Sequence, residues 1–199
     1  MLMKRIILSL ALTVITVGLS AQKISKADDK AIEDRTTGFL ELIQARSYTK
    51  VVDYIYPPLF EHTSKKSMFQ IFDMLEKAGI ELEFNDLEIL EKKPLPSDSD
   101  IKYVLIKYTM DMTLPLNTAD LKGIAALLVP MVESSFGKEN VDYNRAESYV
   151  NVKGEKFLVA IEDASFNDWM FIIYDDSFKG AIQKTLPAKV RQAADSSIK

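Results

Sequence analysis

The chain has no cysteine, one histidine and one tryptophan among 199 residues, and each shortage removes a class of chemistry. Without cysteine there is no disulfide, no thiol nucleophile, no thiolate metal ligand and no sulfur for an N-terminal lipid anchor. Stability must come from packing, which a chain of this size can supply. A serine hydrolase would depend on His62 for its base, and no Gly-x-Ser-x-Gly elbow accompanies it. All seven glycines stand alone, so no glycine-rich phosphate loop occurs. Past the first few residues the only adjacent basic pairs are Lys65-Lys66 and Lys92-Lys93, and the net charge is −4. That argues against nucleic acid, whose phosphates need clustered Lys and Arg. Asp98-Ser99-Asp100 has the alternating carboxylates that open a calcium loop but lacks the glycine and the distant glutamate that complete one. No metal and no cofactor are expected.

What is present begins with the first 21 residues. Lys4 and Arg5 are a basic start, Ile6 to Val17 an uncharged apolar run, and Gly18-Leu19-Ser20-Ala21 a small-residue end, the three parts of a secretory signal peptide. The expectation is export to the periplasm or outside, with cleavage after Ala21 or Ser20; the alternative is an uncleaved anchor. The run is shorter than the roughly 20 residues that span a bilayer, so a soluble mature protein is expected. Removing Lys4 and Arg5 takes the net charge from −4 to −6.

Residues 22 to 199 read as a single α+β domain. Ser25 caps a first helix at about 28 to 46, with Ile32, Phe39, Leu40 and Ile43 at helical spacing. A second runs from 48 to 56, where Pro57-Pro58 ends it, and a third from 65 to 78. The period then drops to two. Leu82 and Phe84 alternate with glutamates up to a turn or bulge at Asn85-Asp86, and Leu87 and Ile89 resume the alternation. Pro94 to Asp100 reads as a loop. In the strand from 103 to 114, Val104, Ile106, Tyr108, Met110, Met112 and Leu114 share a core face. Lys107, Thr109, Asp111 and Thr113 share a wet one, as in an antiparallel sheet. A helix at 118 to 136 follows, kinked at Pro130 and stopped at Gly137. Residues 146 to 152 and 156 to 162 read as two strands of a hairpin turning at Lys153-Gly154-Glu155. A further strand spans 169 to 174. Asp175 or Asp176 caps a helix through Ile182, Pro187 starts a last turn, and residues after Ala193 look frayed.

Helices first and a long antiparallel sheet after them, with Tyr48 to Pro58 as a short helix stopped by prolines and Asp168-Trp169-Met170-Phe171 as an aromatic late strand, resemble the nuclear transport factor 2-like superfamily over about residues 25 to 176. The Ser-Ala-Gln junction also resembles small exported proteins of Bacteroidetes-type bacteria. The superfamily likeness implies a cone-shaped, cystatin-like arrangement of sheet around the first helix, from which the helix at 118 to 136 departs. It also implies an apolar pocket that either holds a ligand or, in isomerases, cyclases and dehydratases, desolvates an Asp, His or Tyr.

Two functions are carried forward. The first is an exported, non-enzymatic binding or interaction protein of the cell envelope, holding a small apolar ligand through Tyr54, Tyr108, Met110 and Trp169 or a protein partner, a second copy included, through Leu121 to Val132. The second is an acid/base enzyme acting on a small apolar substrate, with Tyr108, His62 or Asp111 at stake. Each tyrosine also reads as a core residue with a bonded hydroxyl. The run Leu127-Leu128-Val129 covers more of a helix than one buried stripe needs, so it meets either a wide core or a partner.

Overall fold

The computed structural model of the chain describes residues 23–66, 68, 77 and 82–198. The expected export signal lies outside the described residues. So does most of the expected third helix, of which Lys65, Lys66, Met68 and Lys77 are described and helical. Among the described residues the architecture is α+β, with five helices and an open six-stranded antiparallel sheet. Helix α1 (Lys26–Gln44) starts where the Ser25 hydroxyl accepts from the Asp28 amide at 3.0 Å, and the carboxylates of Asp28 and Asp29 favour its positive end. Helix α2 (Tyr48–Val51) is shorter than the 48 to 56 expected. Tyr56, ahead of Pro57, is excluded from helical geometry. Ile55 is already extended, bridging to Phe171, while the prolines begin the next turn, Pro57–Glu61.

Strands β1 (Glu83–Asp86) and β2 (Ile89–Asp98) lie end to end along one edge of β3 (Ile101–Pro115). The register of β1 shifts between Phe84 and Asp86, at the expected bulge. On its other edge β3 pairs with β5 (Tyr149–Glu162) over fourteen residue pairs, Lys102↔Glu162 to Pro115↔Tyr149. β4 (Val141–Asn144) and β6 (Met170–Ile173) share the far edge of β5. Between β3 and β4 runs α3 (Ala119–Phe136), and α4 (Lys179–Thr185) and α5 (Ala188–Ile198) close the chain.

Three local expectations are corrected. Pro94 and Pro96 do not make a loop; they sit in β2, an edge strand, where a missing amide breaks no ladder, and the turn is confined to Ser99-Asp100. Lys153-Gly154-Glu155 is not a hairpin turn. β3 is long enough to pair the whole of β5, so Gly154 lies mid-strand opposite Met110 and the reversal falls at Arg145–Ser148, with Ser148 at φ 58°. Residues after Ala193 are not frayed: Ala194 is fully buried, and the Tyr174 hydroxyl donates to Asp195 Oδ1 at 2.7 Å, fastening α5 to the end of β6.

The phase of β3 is as expected, with Val104, Ile106, Tyr108, Met112 and Leu114 buried and Lys107, Thr109, Asp111 and Thr113 less so, though Met110 is only partly covered. α1 lies over this face. Phe39 meets Phe171 at 5.3 Å between ring centroids, Phe171 stands in the row Val104–Ala160–Phe171, and Lys92, opposite Ile106, pairs with Asp29 at 2.8 Å. The other face, expected to be largely wet at Lys107 to Thr113, is buried at its start, at Tyr103 and Leu105. The C-terminal helices cover that end, tied down by Tyr174 to Asp195 and by Lys189 to Asp98 at 2.7 Å.

Candidate functional site

The four residues expected to hold a ligand do not converge. Tyr54 and Trp169 are brought together by Arg35 of α1, a residue the sequence did not single out. Its guanidinium lies 3.7 Å over the Tyr54 ring, Nε donates to the Trp169 carbonyl and Nη2 to the Asp53 carbonyl, each at 3.2 Å, and Asp168 is 3.8 Å from Nη1. The Tyr54 ring lies nearly parallel to that of Phe171, 9° apart, and Gly38 leaves room for its hydroxyl: a Cβ there would be 3.0 Å from that oxygen. Trp169 is 6% exposed. Both side chains are spent on joining α1 to the sheet.

Tyr108 stands four residues beyond the Val104 row, about 13 Å along β3. It is 3% exposed, and burial, then the negative charge of Asp175, raise the pKa of its hydroxyl. In the paired position Lys156 reaches Asp175 at 3.0 Å and lies 4.5 Å from the centroid of Phe136. Asp175 is held below the usual carboxylate range. Desolvation works against this and is outweighed by hydrogen bonds from Ser177 and the charge of Lys156. A buried phenol with a raised pKa is a poor base near neutrality. Met110, opposite Gly154, is half-buried away from Tyr54 and Trp169.

The alternative catalytic residues are equally dispersed. His62 is exposed in the turn after Glu61. Asp111 accepts from Asn85 at 3.1 Å and pairs with Lys153 at 3.0 Å; partial desolvation opposes ionisation, but these two partners prevail and lower its pKa. Among the described residues no three His, Asp or Glu side chains are placed to share a metal ion.

Surface clefts are present instead, two of them lined by described residues. One, of about 430 Å³, is lined by the apolar and aromatic Phe157, Tyr174 and Ile182 together with the charged Lys179, Arg191 and Asp195. The other, of about 330 Å³, lies between α1 and the start of β2 and is lined by Leu40, Leu87 and Ile89 together with Glu33, Glu41 and Glu88. Neither contains any of the four expected ligand residues.

Helix α3 stands apart. The Thr118 hydroxyl caps it by accepting from the Leu121 amide at 3.2 Å, and Gly137, at φ 87°, ends it. Leu121, Ala125, Leu128 and Val132 are buried. From Gly123 to Ser134 the opposite face exposes Gly123, Ile124, Ala126, Leu127, Pro130, Met131 and Ser134, an uncharged arc of about 160° at 100° per residue, with Asp120 one turn before it on the same side. Leu127 is 68% exposed, Met131 42% and Ile124 40%. The helix runs through Pro130, which stands on this outer face. No helix among the described residues is long and apolar enough to cross a membrane. No family model, no curated protein and no solved structure matches the chain.

Proposed function

We propose that the protein is an exported, non-enzymatic interaction protein of the cell envelope that docks a protein partner through the outer face of α3. The observation that carries this reading is the exposure of Ile124, Leu127 and Met131 on one helix face that has no charge from Gly123 to Ser134. A solvated helix face ordinarily carries charged and polar residues, and contiguous apolar patches on a soluble surface mark interaction sites. Docking through a protein surface is favoured over a small apolar ligand because Tyr54, Tyr108 and Trp169 serve the packing of α1, β3 and β6. The basic, apolar and small-residue segments of Met1 to Ala21 support export.

The test places a photo-crosslinking amino acid at position 127 in the native host, with position 153, exposed on β5, as the control. Adducts at 127 and none at 153 are expected. Equal labelling at both, or none at 127, overturns the docking reading. Mass spectrometry of the same material checks export, with Gln22 as the expected first residue and an intact Met1 as the refuting result.

A further inference from the structure

We infer that the groove between α1 and the start of β2 binds an extended, basic segment of another protein, which adds to the sheet as a strand along the open edge of β2. This surface is separate from the outer face of α3. Glu33, Thr37, Leu40, Glu41 and Gln44 recur at helical spacing on α1, and with Leu87, Glu88 and Ile89 they line the groove. From Glu33 to Gln44 the helix rises about 16 Å, the length of about five extended residues. The strand edge beside it is open. The Thr109 amide donates to the Glu88 carbonyl and the Glu88 amide to Thr109 Oγ1, each at 2.8 Å, so Glu88 turns both backbone groups towards β3. By the alternation of an antiparallel ladder Ile89 turns its own away, and so does Lys92, two residues before Pro94. Among the described residues no strand pairs with that side.

Charge selects the occupant. Glu33 is paired with Lys92, which is itself held between Asp29 and Glu33, but among the described residues no Lys or Arg reaches the exposed carboxylates of Glu41, Glu88 or Glu91. The unmet charge is negative, and Leu40, Leu87 and Ile89 lie among it. A lysine or arginine side chain suits both, since its stem covers apolar surface while its head reaches a carboxylate. Every second side chain of a strand points to one face, so a segment with basic residues at alternate positions presents two or three of them to the groove at once. Main-chain bonds to the strand edge supply affinity in such an addition, and the side-chain pattern supplies specificity. Pro94 and Pro96 blunt the far half of β2, and a register shift lies between Ile89 and Glu91. The added strand is therefore short and its hold weak, resting on backbone bonds at Ile89 and Lys92 and on the paired charges.

The test titrates the isotope-labelled full chain with an acetylated, amidated octapeptide alternating lysine and valine, and follows the backbone amides by NMR. Shifts are expected at Leu87 to Lys92 and at Thr37 to Gln44, with a dissociation constant of about 100 µM in about 50 mM salt. Raising the salt to about 500 mM should weaken binding about fivefold or more, because exposed charges are screened. The fully N-methylated peptide keeps the charge but has no backbone donor, and should bind about tenfold more weakly or not at all. Replacing both Glu41→Gln and Glu88→Gln should cost about fivefold in affinity, with the far-UV circular dichroism unchanged because both side chains are exposed. No shifts at about 1 mM peptide overturn the inference, and so do shifts confined to other residues, equal binding by the N-methylated peptide, or an unaffected double variant. Shifts at Leu87 to Lys92 that appear on concentrating the chain without peptide overturn it in favour of a second copy. Leu127→Glu should bind the peptide as the wild type does, so failure here and failure of the α3 reading are read separately.

Discussion

Replacing Thr36 by valine should stabilise the protein. Thr36 is fully buried on the sheet-facing side of α1, between Ile32 and Phe39, and its Oγ1 has no hydrogen-bond partner among the described residues. A helical threonine commonly bonds back to the carbonyl one turn earlier, and this one does not. A buried, unpaired hydroxyl costs about 1–3 kcal/mol in desolvation that no bond offsets. Valine keeps the shape and the β-branch, has nearly the same helix propensity, and puts a methyl where the hydroxyl stood. Thr36→Val is therefore expected to gain about 1 kcal/mol or more, or roughly 2–4 °C in Tm for a domain of this size. Thr36→Ser, which keeps the hydroxyl and loses a methyl, should lose about 0.8 kcal/mol. Urea unfolding measures both, and the midpoints should move while the slope stays constant. A valine variant less stable than the wild type would show that the hydroxyl is bonded and that α1 packs differently.

The phenols of Tyr56, Tyr108 and Tyr174 all have raised pKa values, from burial first, with Asp163 adding to it at Tyr56, Asp175 at Tyr108 and Asp195 at Tyr174. Folded values above the unfolded value of about 10 mean that their stabilisation is complete below pH 10 and is lost as pH climbs beyond it. A phenolate absorbance titration should show these three of the eight tyrosines ionising only as the circular dichroism collapses; early titration of all eight would refute it. Arg35→Lys keeps the charge but loses the planar fork over Tyr54 and the bonds to the Asp53 and Trp169 carbonyls. It should cost about 1–2 kcal/mol and shift the fluorescence of Trp169, the only tryptophan. Gly137→Ala should cost about 1–3 kcal/mol, since φ is 87° and a Cβ would stand 2.5 Å from Glu139 Oε1. Adding Glu139→Ala should recover only the steric part, as differential scanning calorimetry can measure.

What could be read from the sequence was what short-range periodicity encodes. The alternation from Val104 to Leu114 needed no knowledge of neighbours, and Ser25, Thr118 and Gly137 act within one turn of their helices, so these elements and their ends were legible. Proline and glycine misled where their meaning depends on a distant strand. Pro94 and Pro96 are compatible with β2 because β3 pairs on one side and, among the described residues, no strand pairs on the other, and Gly154 reads as a turn until β3 supplies a partner along the whole of β5. The burial of Tyr103 and Leu105 could not be read from β3 at all, because it depends on helices that begin more than 70 residues later.

The candidate site was less legible for a related reason. Tyr54 and Trp169 were singled out because an aromatic ring with a polar handle suits a ligand, and the same property suits a helix-to-sheet joint. What decides between the two is Arg35, 134 residues from Trp169 in sequence, and no local pattern announces it. On α3 the ambiguity is sharper. Leu127 and Leu128 are adjacent and chemically identical, so composition and apolar run length treat them alike, yet Leu128 is buried and Leu127 is the most exposed large apolar residue described. Only the packing of Leu121, Ala125 and Val132 on the same side as Leu128 separates them. If the outer face of α3 were merely tolerated apolarity, replacing Leu127 by glutamate would change nothing but local solvation. If the face docks a partner, the same replacement forces a carboxylate into an apolar contact, where its desolvation opposes binding. Leu127→Glu should then leave the urea stability within about 0.5 kcal/mol of wild type, as for an exposed site, while abolishing the adducts formed by a photo-crosslinking amino acid at position 124. Adducts that persist in this variant would place the contact elsewhere on the chain.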